Sequence, residues 1–246
     1  MYSRTSRTVT RHNRARRAGI PLLATVASMT PAPDRWELPT PVGEAAARVH
    51  PAPEPRAVLL LGHGAGGRSD GREVLALAAA LPSRGVSVVL VDQPWRVAGR
   101  RVAAPPPVLD RAWRAAVPQV LERVAPAPLW LGGRSAGARV ACRTAAELGA
   151  AAVAALAFPL HPPGRPERSR LPELALPPAA GVRLLVVQGE RDPFGAPAEF
   201  PPGYDVRPAP AADHAFRVPR GAAPDQAAVL AGVVEAVASL LEPLPR

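Results

Sequence analysis

The stretch Leu131-Gly132-Gly133-Arg134-Ser135-Ala136-Gly137-Ala138-Arg139 decides how the rest of the chain is read. It carries the pattern Gly-x-Ser-x-Gly with Ser135 at its centre. Leu129, Trp130 and Leu131 form an apolar run before it, and an Ala-rich run with helical spacing follows. That order predicts strand, tight turn, helix. In such a turn a serine sits on a strained corner with its hydroxyl exposed at the top of a sheet. Strand and helix backbones pass close together there, so Gly133 and Gly137 stand where a side chain would collide. The helix aims the free N–H groups of its first turn at the serine.

On either side of this stretch, 57–61, 86–91, 153–158 and 182–188 are short apolar runs without alternation, which suits strands of a sheet covered on both faces. Helical spacing recurs over 70–81, 108–124, 136–148 and 225–241, with Asp225 as an acidic first-turn or capping residue of the last. Residues 36–38 and 46–50 predict an edge hairpin around Pro41 and Gly43, and 204–207 a short strand. The Pro- and Arg-rich segments 93–107 and 159–181 read as loops. Strands alternating with helices give an α/β protein, a mostly parallel sheet with helices on both faces. Chemistry in such sheets collects at the carboxyl ends of the strands. Four loops there stand out: His63 to Gly67, Arg134 to Ala136, Asp192 and His214.

A serine hydroxyl is a poor nucleophile at neutral pH and needs a base, which needs an orienting partner. Ser135, Asp192 and His214 supply nucleophile, acid and base in that chain order. Asp213 is the rival acid, but it adjoins His214 and is badly placed to orient that ring. The developing oxyanion needs N–H donors. Ala136, after the serine, is one candidate. Ala65 is the other, in the loop Gly64-Ala65-Gly66-Gly67 where glycines allow close backbone approach. His63 and Gly64 are site-shaping candidates, and for His63 a purely structural hydrogen bond is the competing reading. Trp95 either walls an acyl pocket or is ordinary packing. His161 and Arg165 read as polar groups satisfied within a stiff loop, and Cys142 as a buried structural thiol.

Beyond these residue-level readings, the sequence resembles the small α/β-hydrolase family related to dienelactone hydrolases. The branch is the one that includes the testis-expressed and NSL-complex hydrolase-like proteins. The residues carrying the resemblance are Gly62-His63-Gly64-Ala65-Gly66-Gly67, Gly132 to Gly137, Pro159-Leu160-His161-Pro162-Pro163-Gly164-Arg165-Pro166, Gln188 to Gly195, and Asp213-His214. Together they span about residues 36–242. The resemblance implies an α/β-hydrolase fold and a Ser–Asp–His hydrolase, and it implies no substrate. Dienelactone hydrolases use a cysteine nucleophile where this chain has Ser135, so their substrate does not carry over.

Composition bounds the remaining readings. At 246 residues, 48% hydrophobic and 20% charged, one globular domain over 29–246 is expected. The net charge is +10, and all 30 basic residues are arginine. Six of them, and no acid, fall in residues 1–28. That segment reads as a disordered or artefactual extension rather than a signal peptide. No basic face interleaved with aromatics suggests nucleic-acid binding. No run approaches a membrane span. One cysteine excludes an intrachain disulfide. The expectation is therefore a cytoplasmic serine hydrolase, free of cofactor and metal, acting on a small ester or thioester. The alternative is a non-catalytic module that keeps the fold for binding.

Overall fold

The computed structural model describes Met1, residues 35–66 and residues 70–243. The chain falls into two units, Met1–Ala32 and Pro33–Arg246. The extension expected over 1–28, the domain start at 29, and Gly67 lie outside the described residues, save Met1.

In the second unit the apolar runs become strands of one eight-stranded sheet. The strands are β1 (Arg35–Thr40), β2 (Gly43–His50), β3 (Ala57–Gly62), β4 (Val86–Asp92), β5 (Leu129–Arg134), β6 (Ala152–Leu156), β7 (Arg183–Gly189) and β8 (Asp205–Ala209). Their spatial order is β1-β2-β4-β3-β5-β6-β7-β8. β2 runs antiparallel to both its neighbours, and all other pairings are parallel. Along β3 successive side chains point to opposite faces. Val58 and Leu60 join a core with Trp113, Val117 and Val140. Leu59 and Leu61 join a second core with Val74, Leu77 and Val233. Burial on both faces is why these strands read as unbroken apolar runs.

The first face is covered by α3 (Pro106–Leu121) and α4 (Ala136–Thr144), the second by α1 (Arg72–Ala80) and α7 (Gln226–Ala238). Asp225 caps α7, accepting from the Ala228 N–H at 2.9 Å. α3 starts two residues earlier than the spacing suggested, on Pro106 and Pro107. A first turn needs no N–H from them and benefits from their fixed φ. α4 ends at Thr144, short of 148, and the chain leaves it through turns that close on Gly149 at φ 67°. β6 stops at Leu156 because Ala157, at φ 44°, turns the chain out of the sheet. The two segments read as loops contain single helical turns: α2 (Pro94–Val97), α5 (Leu171–Leu174) and α6 (Leu176–Ala179). Each opens on proline at its first or second position.

A charged network fixes α4 in place. The Arg143 guanidinium donates to both carboxylate oxygens of Asp110 on α3, at 2.6 and 2.8 Å, and also to Glu173 on α5. Arg139 donates to the same Glu173. Such two-pronged contacts add geometric definition to charge. They hold the helix that begins directly after Ser135. Cys142, on the same helix, is buried, and burial pushes its thiol pKa up, as suits an inert packing residue. Among the described residues, no helix is long and apolar enough to cross a membrane.

Candidate active site

Ser135 occupies φ 54°, ψ −109°, a region that non-glycine residues adopt only under constraint. The constraint is visible. The Ser135 N–H donates to the Leu156 carbonyl at 3.0 Å, and the Ser135 carbonyl accepts from the Arg139 N–H at 3.2 Å. β5 and α4 cross β3 closely at Gly62. A Cβ on Gly133 or on Gly137 would strike the Gly62 carbonyl. Both glycines therefore serve the close approach inferred from the motif.

His214 lies in the loop between β8 and α7. Its Nε2 is 3.0 Å from Ser135 Oγ, and its Nδ1 is 2.8 Å from Asp192 Oδ2. Asp192 follows β7 and is 3% exposed. Its Oδ1 accepts from the Phe194 N–H, and its Oδ2 also accepts from Gln188 Nε2, both at 2.9 Å. A carboxylate can only accept, so the imidazole proton belongs on Nδ1, leaving Nε2 to accept from the serine hydroxyl. Asp213 is occupied otherwise. Its Oδ1 accepts from the N–H groups of Ala215 and Arg217, bracing the loop that carries His214.

Ala65 and Ala136 border one cavity of about 10 Å³, together with His63 and Gly64. Ala136 is the first residue of α4, so its N–H has no intrahelical acceptor. The residues singled out from the sequence thus gather at the carboxyl ends of β3, β5, β7 and β8.

A family model described as an alpha/beta hydrolase domain matches residues 55–242. The chain belongs to the α/β-hydrolase family. Among curated proteins, none matches the sequence. Solved structures with this fold are numerous. An α/β serine hydrolase without a lid, from Xanthomonas campestris, is 22% identical. The match covers 87% of this chain and 98% of that one, with a TM-score of 0.66. An α/β serine hydrolase homologue from Coxiella burnetii is 17% identical over 82% of this chain and 96% of that one, also at 0.66. A dienelactone hydrolase from Anabaena variabilis is 19% identical over 83% and 97%, at 0.56. At these identities the likeness is one of fold.

Several groups around this α/β-hydrolase site had no role assigned from the sequence. Gln188, next to last in β7, is fully buried, and its amide nitrogen faces Asp192 Oδ2, the Gly195 carbonyl and the Phe158 carbonyl at 2.9, 2.7 and 3.3 Å. Three acceptors around one nitrogen settle which way the amide points. A glutamine near the end of an apolar strand was the available signal. The Phe194 ring lies on the His214 ring, centroids 4.2 Å apart and planes 30° from parallel. It covers a face of the imidazole. Arg134 donates to the His214 carbonyl at 3.3 Å and lies 3.4 Å from Glu73, a carboxyl 1% exposed whose pKa burial raises. The guanidinium also packs where a Gly64 side chain would stand.

His63 acts through its loop. Its Nδ1 lies 3.0 Å from the Gly64 carbonyl, and its Nε2 accepts from the Gln93 N–H at 3.1 Å. The ring ties the loop after β3 to the loop after β4. His161 is likewise satisfied, at 3.0 Å from the Pro162 carbonyl and 2.9 Å from Glu199, while Arg165 is exposed.

Burial pushes the His63 pKa below the ordinary 6.5, and a proton on Nε2 would confront the Gln93 N–H. Below 6.5 the unfolded chain takes up that proton more readily than the folded one. The stability contributed by neutral His63 is thus complete above 6.5 and lost as pH falls from there toward the lowered value. Urea unfolding of wild type and His63→Gln between pH 7.5 and 5 should show their stability difference shrinking on acidification. A difference independent of pH would count against this account. His50 shifts in the same direction, which is why the comparison must be with the variant.

Proposed function

We propose that this chain is a serine hydrolase that cleaves a small ester or thioester through an acyl-enzyme. The observation that carries the reading is the line of hydrogen bonds from Ser135 Oγ through His214 to Asp192, at 3.0 and 2.8 Å. As His214 Nε2 takes the hydroxyl proton, Ser135 Oγ attacks the acyl carbon. The carbonyl electron pair moves to oxygen, where the N–H groups of Ala136 and Ala65 stabilise it. Collapse of the tetrahedral species expels the alcohol or thiol, protonated by His214. Water then attacks the acyl-serine with His214 again as base, and the acid leaves. Asp192 holds the imidazole tautomer and stabilises its cation throughout. The reaction as written draws on no metal or cofactor.

The fold likeness to serine hydrolases from Xanthomonas campestris and Coxiella burnetii supports this chemistry. Placement in the dienelactone-hydrolase-like branch rests on the Pro159-to-Pro166 segment and belongs to the same proposal, as does a cytoplasmic location with a small molecule as partner. A fluorophosphonate probe should label the folded protein, with the adduct mass on the peptide containing Ser135. Folded protein that takes no label would favour the non-catalytic binding module.

A further inference from the structure

We propose, on the reading that Ser135 accepts the acyl group, that the enzyme is selective for two-carbon acyl groups. We further propose that Trp95 sets this limit by dividing a small acyl cavity from a larger chamber behind it. The small cavity is the one bordered by Ala65 and Ala136. Its lining includes both residues assigned to the acyl oxygen, and the proposal places the acyl substituent in this space. At about 10 Å³ the cavity has room for roughly one water-sized group, and a methyl fills it.

A second cavity, of about 260 Å³, lies between β2, α2 and α3 and is lined in part by Val97, Val108 and Ala112. Gln93, Trp95 and Leu109 line both cavities. These three residues are therefore the partition. Gln93 is braced on both sides, its N–H donating to His63 and its Nε2 to the Leu109 carbonyl at 3.3 Å. Its Oε1 is buried with no hydrogen-bond partner among the described residues, so the passage does not favour a hydrocarbon tail. Trp95 is the largest of the three, 4% exposed, with its ring set edgewise against His63 at 5.2 Å. It stands on the four-residue helix α2. Its truncation opens the small cavity into the large one.

The test is kcat/KM for p-nitrophenyl acetate, butyrate, hexanoate and octanoate. Wild type is expected to lose at least about tenfold from acetate to butyrate, since a longer chain runs into the partition of Gln93, Trp95 and Leu109. In Trp95→Ala the ratio of hexanoate to acetate should rise at least about tenfold, mainly through a lower KM for the longer ester. Leu109→Ala, which thins the partition from the α3 side, should move the ratio in the same direction. It carries the test should Trp95→Ala fail to fold. Wild type that hydrolyses hexanoate as well as acetate overturns the proposal. So do folded variants with an unchanged profile. Wild type that neither hydrolyses any ester nor takes the fluorophosphonate overturns the serine-hydrolase reading itself. Labelled wild type with the wrong chain-length profile overturns this inference alone.

Discussion

Ser135→Ala is expected to lower kcat for ester hydrolysis by about a million-fold, and Asp192→Asn by about ten-thousand-fold, with both proteins folded. The serine variant removes the attacking atom and leaves the turn in place, since alanine meets the same backbone constraint. The aspartate variant works through a proton. One orientation of the amide keeps its oxygen toward the Phe194 N–H and turns its NH₂ toward Gln188 Nε2 and His214 Nδ1. Nδ1 must then accept, the imidazole proton moves to Nε2, and Nε2 can no longer take the proton of Ser135. Each orientation opposes two donors at a site that is 3% exposed, the first at the Gln188 side chain and the opposite one at the Phe194 backbone N–H, and a side-chain amide gives way more readily than the backbone. Steady-state kinetics on a p-nitrophenyl ester, with circular dichroism to establish folding, checks both. Folded Ser135→Ala that keeps more than about one hundredth of the activity would remove Ser135 from the mechanism, because loss of a nucleophile costs far more than that.

Gly137→Ala should cost more than about 4 kcal/mol, most of the stability of a domain at the low end of the usual range. Helix propensity alone points the other way, because alanine is favoured over glycine by about 1 kcal/mol in a helix interior. The sign therefore decides between local and tertiary control. A Cβ at 137 runs into the carbonyl group of Gly62. Gly62 belongs to β3, which is paired with β4 on one side and β5 on the other, so its backbone cannot step aside. Gly149→Ala is the control. Gly149 has φ 67° and open space around its Cβ position, so only the conformational cost of about 1 kcal/mol is expected. Urea denaturation of both variants separates the two causes. Equal effects would show that collision at Gly62 does not matter.

Much of this architecture is readable from local pattern. Buried runs such as Ala57 to Leu61 declare strands covered on two faces, because a strand with one wet face alternates. The Gly-x-Ser-x-Gly turn declares a strand–helix crossing, because only small residues fit where Gly133 and Gly137 stand. Asp225 declares a helix start through its own side chain. Segments 93–107 and 159–181 were less legible. Their one-turn helices are set by proline φ angles and by packing, and a single turn has no period to detect.

The candidate site divides along the same line. Ser135, Asp192, His214, Ala136 and Ala65 could be picked from chain order, because a parallel sheet brings its strand ends to one edge wherever they lie in sequence. The choice of Asp192 over Asp213 is legible too, since Asp213 adjoins His214, and the tertiary structure supplies the contact itself. The Asp213 carboxylate turns back to its own loop, while Asp192 reaches across from β7. His63 had two readings, and its bonds to Gly64 and Gln93 make it a tie between loops. Gln188, Phe194 and the pair Arg134 and Glu73 gained meaning only once their neighbours were in place. The division of space by Gln93, Trp95 and Leu109 depends on three separate segments meeting. Local sequence sets what is periodic or confined to a few consecutive residues, because backbone sterics and side-chain alternation act at that range. Tertiary structure alone decided the orientation of side chains whose partners come from distant strands, since the energy of those contacts exists only when the whole sheet has assembled.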